Sequence, residues 1–191
     1  MRVILASKSP RRRELLRNLF SEFEIICADI DESLPDLLSA KEGVELLAKR
    51  KGAAVAYRVG NEALVISSDT LVEMDGAALG KPVDEADAIR MLTALSGRSH
   101  NVHTGVAVHY RGRTYSGVRS TEVVFLPLDK KTIEEYVATG EPMDKAGSYG
   151  IQGLGGRLVS RYRGDFDTVV GLSVSLTKEL VELAVSEGVN E

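Results

Sequence analysis

Near the start of the chain, Val3 to Arg13 read V-I-L-A-S-K-S-P-R-R-R, putting two hydroxyls and four cations on one short turn. Ser9 suits a helix N-cap, and Pro10 suits the first helical position because its missing N–H would find no partner there anyway. Lys8, Arg11, Arg12 and Arg13 then crowd an end that already carries about half a positive charge from aligned peptide dipoles. An anion would resolve the conflict, with the hydroxyls of Ser7 and Ser9, free N–H groups and guanidinium forks converging on phosphate oxygens. A solvated basic first turn would explain the same residues.

Further along, Asp29, Asp31, Glu32 and Asp36 surround Pro35. They form either a wet acidic loop or one in which a carboxylate or two turn inward to hold a divalent cation, which prefers hard oxygen ligands. Lys51 falls on the apolar stripe of a helix, so it either snorkels at an edge or belongs to a site. A buried-type strand, Leu64 to Ser67, runs straight into Ser68, Asp69 and Thr70. Asp75-Gly76 signals a type I′ turn, which sets Thr70 opposite Lys81 and brings an ammonium beside Asp69. The pair reads as a reacting centre or as a salt bridge at a hairpin base. Gln152 sits where a side chain that both donates and accepts could pair with a nucleobase edge. His100 and His103, at an odd offset on a strand, point to opposite faces, which argues against a shared zinc.

The elements that must position these groups are written in the same residues. Val3 to Leu5 predicts a core strand, the segment after Pro10 a helix with Leu15, Leu16, Leu19 and Phe20 inward, and Phe23 to Ala28 a second strand. Ser39 with Glu42 is a capping box for a helix to about Tyr57, with Val44, Leu47, Ala48, Ala54 and Val55 on its stripe and Lys49 and Arg50 at the surface. Asp84 caps a helix burying Ala88, Met91, Leu92 and Leu95 and stopping at Ser96-Gly97. Asn101 to Tyr110 and Thr114 to Leu126 make strands about an Arg111-Gly112 turn, with a bulge expected at Gly117. Asp129 caps a short helix to about Ala138. Eight glycines then fall between Gly140 and Gly171, interleaved with Tyr149, Ile151 and Leu154, as an ordered binding loop would require. A strand-like L-V-S-R-Y-R follows, and a closing helix from Ser173 turns Leu176, Leu180, Leu183 and Ala184 inward.

A chain of 191 residues is long enough for one core, or one core with two lobes, and a single domain over 1–191 is expected. With 43% hydrophobic and 27% charged residues the composition is that of a globular protein, and a net charge of -4 argues against general nucleic-acid binding. The one cysteine, Cys27, lies in an apolar run and is expected as a buried free thiol, in keeping with a reducing cytoplasm. Neither a signal peptide nor a bilayer-spanning run is expected. Acids and bases gathered around a phosphate suggest metal-assisted phosphoryl chemistry.

Six motifs, in order, resemble the Maf family of nucleoside triphosphate pyrophosphatases, first described as septum formation inhibitors. They are S-K-S-P-R-R at Ser7 to Arg12, L-A-K-R-K-G-A at Leu47 to Ala53, S-D-T-L-V at Ser68 to Val72, G-K-P at Gly80 to Pro82, L-S-G-R at Leu95 to Arg98, and E-P-M-D-K-A-G-S-Y-G-I-Q-G at Glu141 to Gly153. The resemblance implies an α/β fold, a mixed twisted sheet flanked by helices with two lobes and a central cleft (Maf/ITPase-like), usually as a homodimer. It implies hydrolysis of a triphosphate to monophosphate and pyrophosphate with a divalent metal, Mg²⁺ or Mn²⁺. By resemblance Asp69 is the proton acceptor, Glu32 with Asp69 helps hold metal, and Lys51 and Lys81 bind phosphate. Arg11, Thr70 and Gln152 match positions that mark the dTTP and UTP branch; a sister branch acting on 7-methylguanosine triphosphate has an aromatic where this chain has Arg11. Ser68 stands where relatives often have alanine. A non-catalytic, nucleotide-sensing regulator of cell division is the alternative; the presence of both Asp69 and Glu32 argues against it, because binding alone needs no base.

Overall fold

Short aliphatic and β-branched runs set the frame of the computed structural model, which describes residues 1–35 and 37–188. Asp36, one of the four acids noted above, lies outside the described residues. Val3, Ile4 and Leu5 are buried on β1 (Arg2–Leu5), which runs parallel to β2 (Glu24–Ile25) on one side and to β3 (Ala63–Met74) on the other. β3 turns through Asp75 and Gly76, with φ of 51° and 79° as a type I′ turn demands, into β4 (Ala77–Leu79). β5 (Ser99–Tyr110), β6 (Arg113–Phe125) and β7 (Val159–Arg163) continue antiparallel, so the described residues form one mixed sheet of seven strands in the order β2-β1-β3-β5-β6-β7, with β4 also on β3.

Helices cover both faces, and their starts follow the expected caps. Ser9 accepts from the Arg12 N–H at the head of α1 (Pro10–Leu16), and Ser39 and Glu42 complete a capping box on α2 (Ala40–Val59). Asp84 and Asp129 cap α3 (Glu85–Leu95) and α4 (Lys130–Val137). The short α5 (Phe166–Val170), headed by Asp165, had no counterpart in the sequence reading; α6 (Val174–Gly188) closes the chain. α2 lies very close on the sheet: a Cβ on Gly105 of β5 would stand 2.4 Å from the Val44 carbonyl oxygen. That closeness lets a side chain of α2 reach the middle of β3.

Two of three buried clusters divide along β3, and the third, Ile4, Ala6, Val55, Ala63 and Val65, seats α2 against β1 and the start of β3. Leu5, Leu16, Leu64, Ile66, Val106 and Leu172 pack together around the first half of β3, while Val72, Leu92, Val102, Phe125, Tyr136 and Leu158 pack around its second half. Between them the edge of β3 changes neighbour. β1 pairs with it only as far as Leu5–Ile66, and β4 begins at Val72–Leu79, so among the described residues Ser67 to Leu71 have no strand on that side. The cleft opens at this break, as ligands in open α/β sheets do where strand order switches.

Three expectations are corrected. The second strand covers Glu24–Ile25 only, because its partner β1 is itself four residues long and the chain then leaves to wall the cleft. Gly117 pairs regularly with Val106, and the register irregularity falls instead between Val124 and Phe125; Gly117 faces Leu176, which a Cβ would approach to 3.2 Å. Leu183 is 44% exposed, since the buried stripe of α6 centres on Leu180 between Leu176 and Ala184 and leaves Leu183 on its flank.

Candidate active site

The cleft, of roughly 940 Å³, is lined by Ser7, Ser9, Arg11, Arg12, Glu32, Lys51, Asp69, Thr70, Lys81 and Gln152 together, whereas Arg13 of the basic turn and Asp31 of the acidic loop do not line it. The lining residues come from the β1–α1 turn and the first turn of α1, the loop after β2, α2, the bare stretch of β3, the loop after β4 and the glycine-rich segment.

At the centre stands Lys51. Its ammonium lies 2.5 Å from Asp69 Oδ1 and 3.0 Å from Glu32 Oε1, with its side chain only 12% exposed. The lysine on the apolar stripe of α2 is therefore placed by that helix over the middle of β3, and its charge is balanced by two carboxylates. This revises the hairpin argument: Lys81 reaches the same cleft and stays exposed, but the ammonium beside Asp69 is that of Lys51. The hairpin register holds as far as Val72–Leu79, after which Gly80 and Lys81 peel away, and the Gly80 carbonyl accepts from the Gly147 N–H at 3.0 Å.

Arg12 enters the break in the sheet. Its Nε donates to the Gly171 carbonyl at 2.9 Å, Nη1 to the Ser68 carbonyl at 2.8 Å, and Nη2 to Thr70 Oγ1 at 3.3 Å. Burial lowers its pKa, opposed by the attraction of Asp69, and a guanidinium remains charged regardless. Several of its donors thus serve the protein's own oxygens. Thr70 Oγ1 also meets Thr104 Oγ1 at 2.8 Å, and the Ser68 hydroxyl donates to the Gly171 carbonyl at 3.0 Å. Arg11 lies half-buried in the cleft wall; burial pushes the nearby Asp144 carboxyl up, but the bonded Lys145 ammonium, with a smaller pull from Arg11, holds it below the usual range.

Cys27 is half-buried in the cleft wall and not enclosed in the core, because β2 ends two residues before it. His100 and His103 face opposite sides as expected. His100 Nε2 is 2.8 Å from the Tyr149 hydroxyl, with Phe125 and Tyr149 packed edge-on around the ring, and burial depresses its pKa to about 4. His103 is held between Ser120 Oγ at 2.7 Å and Glu73 Oε2 at 3.1 Å. Among the described residues no group of three or more His, Cys, Asp or Glu is arranged to hold a metal.

Sequence reasoning did not single out Glu141, Asp144 and Lys145, all of which line the cleft. Lys145 Nζ donates to the Glu141 carbonyl at 2.7 Å and to Asp144 Oδ1 at 2.6 Å. Their spacing was visible in E-P-M-D-K, but charge alone did not separate them from a solvated turn.

The sequence matches the family described as Maf-like protein over residues 2–184. The chain belongs to the Maf family. Among relatives similar to this Maf chain, the dTTP/UTP pyrophosphatase of Vibrio cholerae is 49% identical over 94% of this chain and 96% of that protein. The dTTP/UTP pyrophosphatase of Thermococcus kodakarensis is 46% identical over 95% and 96%. Among solved structures, a nucleoside-triphosphatase / dITP/XTP pyrophosphatase from Mycobacterium abscessus aligns over 99% of this Maf chain and 98% of its own, with a TM-score of 0.47 and 16% identity.

Proposed function

We propose that this Maf protein is a hydrolase that converts nucleoside triphosphates, dTTP and UTP foremost, to the monophosphate and pyrophosphate. The observation that carries the reading is the convergence of Arg11, Lys51 and Lys81 on the cleft that holds Asp69. It is supported by the names of relatives that match nearly the whole chain.

In this reading Lys51, Lys81 and Arg11 balance the charge of the triphosphate, the Ser7 and Ser9 hydroxyls bond its oxygens, and Arg12 fixes the turn and Thr70 while adding positive charge. Thr70 and Gln152 meet the sugar and base. The donor set suits a divalent cation, Mg²⁺ or Mn²⁺: Glu32 and Asp69 already converge on one positive centre, the Lys51 ammonium, through hard oxygens. Magnesium commonly takes one or two carboxylates and completes its shell with phosphate and water. When bound there, the ion would neutralise charge developing on the phosphates. Entry of the polyanion draws Lys51 toward phosphate oxygens and frees the Asp69 carboxylate. Asp69 then takes a proton from a water whose oxygen bonds to the α-phosphorus, as the bond from that phosphorus to the bridging oxygen of pyrophosphate breaks. The protein is further proposed to act as one domain and as a homodimer in the cytoplasm, with no nucleic-acid partner.

Pyrophosphate release over a panel of triphosphates, with Mg²⁺ and with chelator, tests this. The wild type should turn over dTTP and UTP fastest, and Asp69→Asn should lose about 10²-fold or more with an unchanged melting temperature. An active Asp69→Asn enzyme means the base is elsewhere, and tight binding without cleavage by the wild type would favour the nucleotide-sensing regulator.

A further inference from the structure

Glu141 belongs to none of the roles above, yet its carboxylate is the hub of the segment that carries Gln152. Oε2 accepts from the Leu154 N–H at 2.9 Å, and Oε1 accepts from the Gly155 N–H at 3.0 Å and from the Tyr136 hydroxyl at 2.9 Å. The same Tyr136 oxygen accepts from the Gly150 N–H at 3.1 Å, so Gly150, Leu154 and Gly155, on both sides of Gln152, are tied to one carboxylate. Its backbone carbonyl accepts from Lys145 Nζ at 2.7 Å, fastening the far end of the same turn. The contact tolerates no side chain at Gly153, where a Cβ would fall 2.5 Å from Glu141 Oε2. Burial pushes the Glu141 carboxyl up, but the N–H groups of Gly155 and Leu154 and the Tyr136 hydroxyl outweigh it and hold the group below the usual range, so it stays ionised and acceptor-only at neutral pH.

Gln152 itself is exposed at the cleft and contributes no hydrogen bond within the protein among the described residues. A side chain that must meet a base edge with both a donor and an acceptor can discriminate only if its backbone is fixed, because each free rotor or shifting loop is ordered again on binding. We propose that Glu141 is a positioning residue for base selection: it sets the 150–155 segment so that Gln152 presents its amide to one base class. This rests on the reading of Gln152 as the residue that meets the base.

The test compares kcat and KM for UTP, dTTP, CTP and GTP in the wild type, Glu141→Gln, Gln152→Ala and the double variant. Glutamine replaces one acceptor oxygen with an amide that faces an N–H donor, so the segment loosens while the side-chain volume stays. The preference for UTP over CTP and GTP should fall by about tenfold or more, carried mainly by KM, and the double variant should be no less selective than Gln152→Ala, since coupled residues do not add. Should Glu141→Gln not fold, Tyr136→Phe, which removes the hydroxyl joining Gly150 to Glu141 but leaves the Leu154 and Gly155 bonds to the carboxylate, should shift the same ratio to a smaller extent. An equal loss of kcat on every nucleotide with the ranking kept, while Gln152→Ala flattens it, would overturn the role of Glu141 alone. A ranking unchanged in Gln152→Ala would instead overturn the base-reading role beneath it.

Discussion

Arg12 occupies a place where a strand would otherwise be. Past Ile66 the edge of β3 has lost β1 and has not yet gained β4, and the guanidinium bonds the Ser68 carbonyl exposed there while reaching Gly171 and Thr70. Lysine carries the same charge but is a point donor on a flexible stem and cannot span two carbonyls and a hydroxyl in one plane. Arg12→Lys should therefore lower stability by about 1–3 kcal/mol, as loss of buried hydrogen bonds does, with reduced turnover. Urea unfolding of the variant measures this, and an unshifted midpoint would show that the clamp is idle. The sequence marked Arg12 as a phosphate contact from its charge and position; that its donors meet carbonyls about 60 and 160 residues away follows only from the fold.

At the scale of elements, the strands β3, β5 and β6 and their turns were legible because local chemistry decides them: Asp75-Gly76 and Arg111-Gly112 both adopt the positive φ expected of tight hairpins. Elements fixed by distant neighbours were not. β2 is cut short by the length of β1, α5 exists only where the chain crosses β5, and the exposed flank of α6 depends on what it packs against. β5 also carries three histidines whose pKa values burial depresses, His100 to about 4. The folded state then binds fewer protons than the unfolded chain, whose histidines titrate near about 6.5. Stability from His100 is fully present above that pH and is lost as pH falls through its folded value. The contribution is on the order of 3 kcal/mol, shared in slope with His103 and His109. Urea midpoints from pH 7 to 4 should fall, and fall less steeply in His100→Gln; identical slopes would show that another group controls acid stability.

Across the whole molecule, a chain with a net charge of -4 directs Arg11, Arg12, Lys51 and Lys81 into one cleft beside Asp69. Each of these residues could be picked out singly by type and spacing. Their arrangement could not: which lysine meets Asp69 is decided by how closely α2 sits on β5, through Gly105, and not by the hairpin register. No helix among the described residues is long and apolar enough to cross a membrane. In the proposed reaction the cations hold a triphosphate so that Asp69 activates water against its α-phosphorus. Hydrolysis of UTP or dTTP in water enriched with oxygen-18, followed by mass analysis of both products, tests that claim most directly. The label should appear in the nucleoside monophosphate and not in pyrophosphate, whereas label in pyrophosphate or in orthophosphate would place the attack on another phosphorus and contradict it.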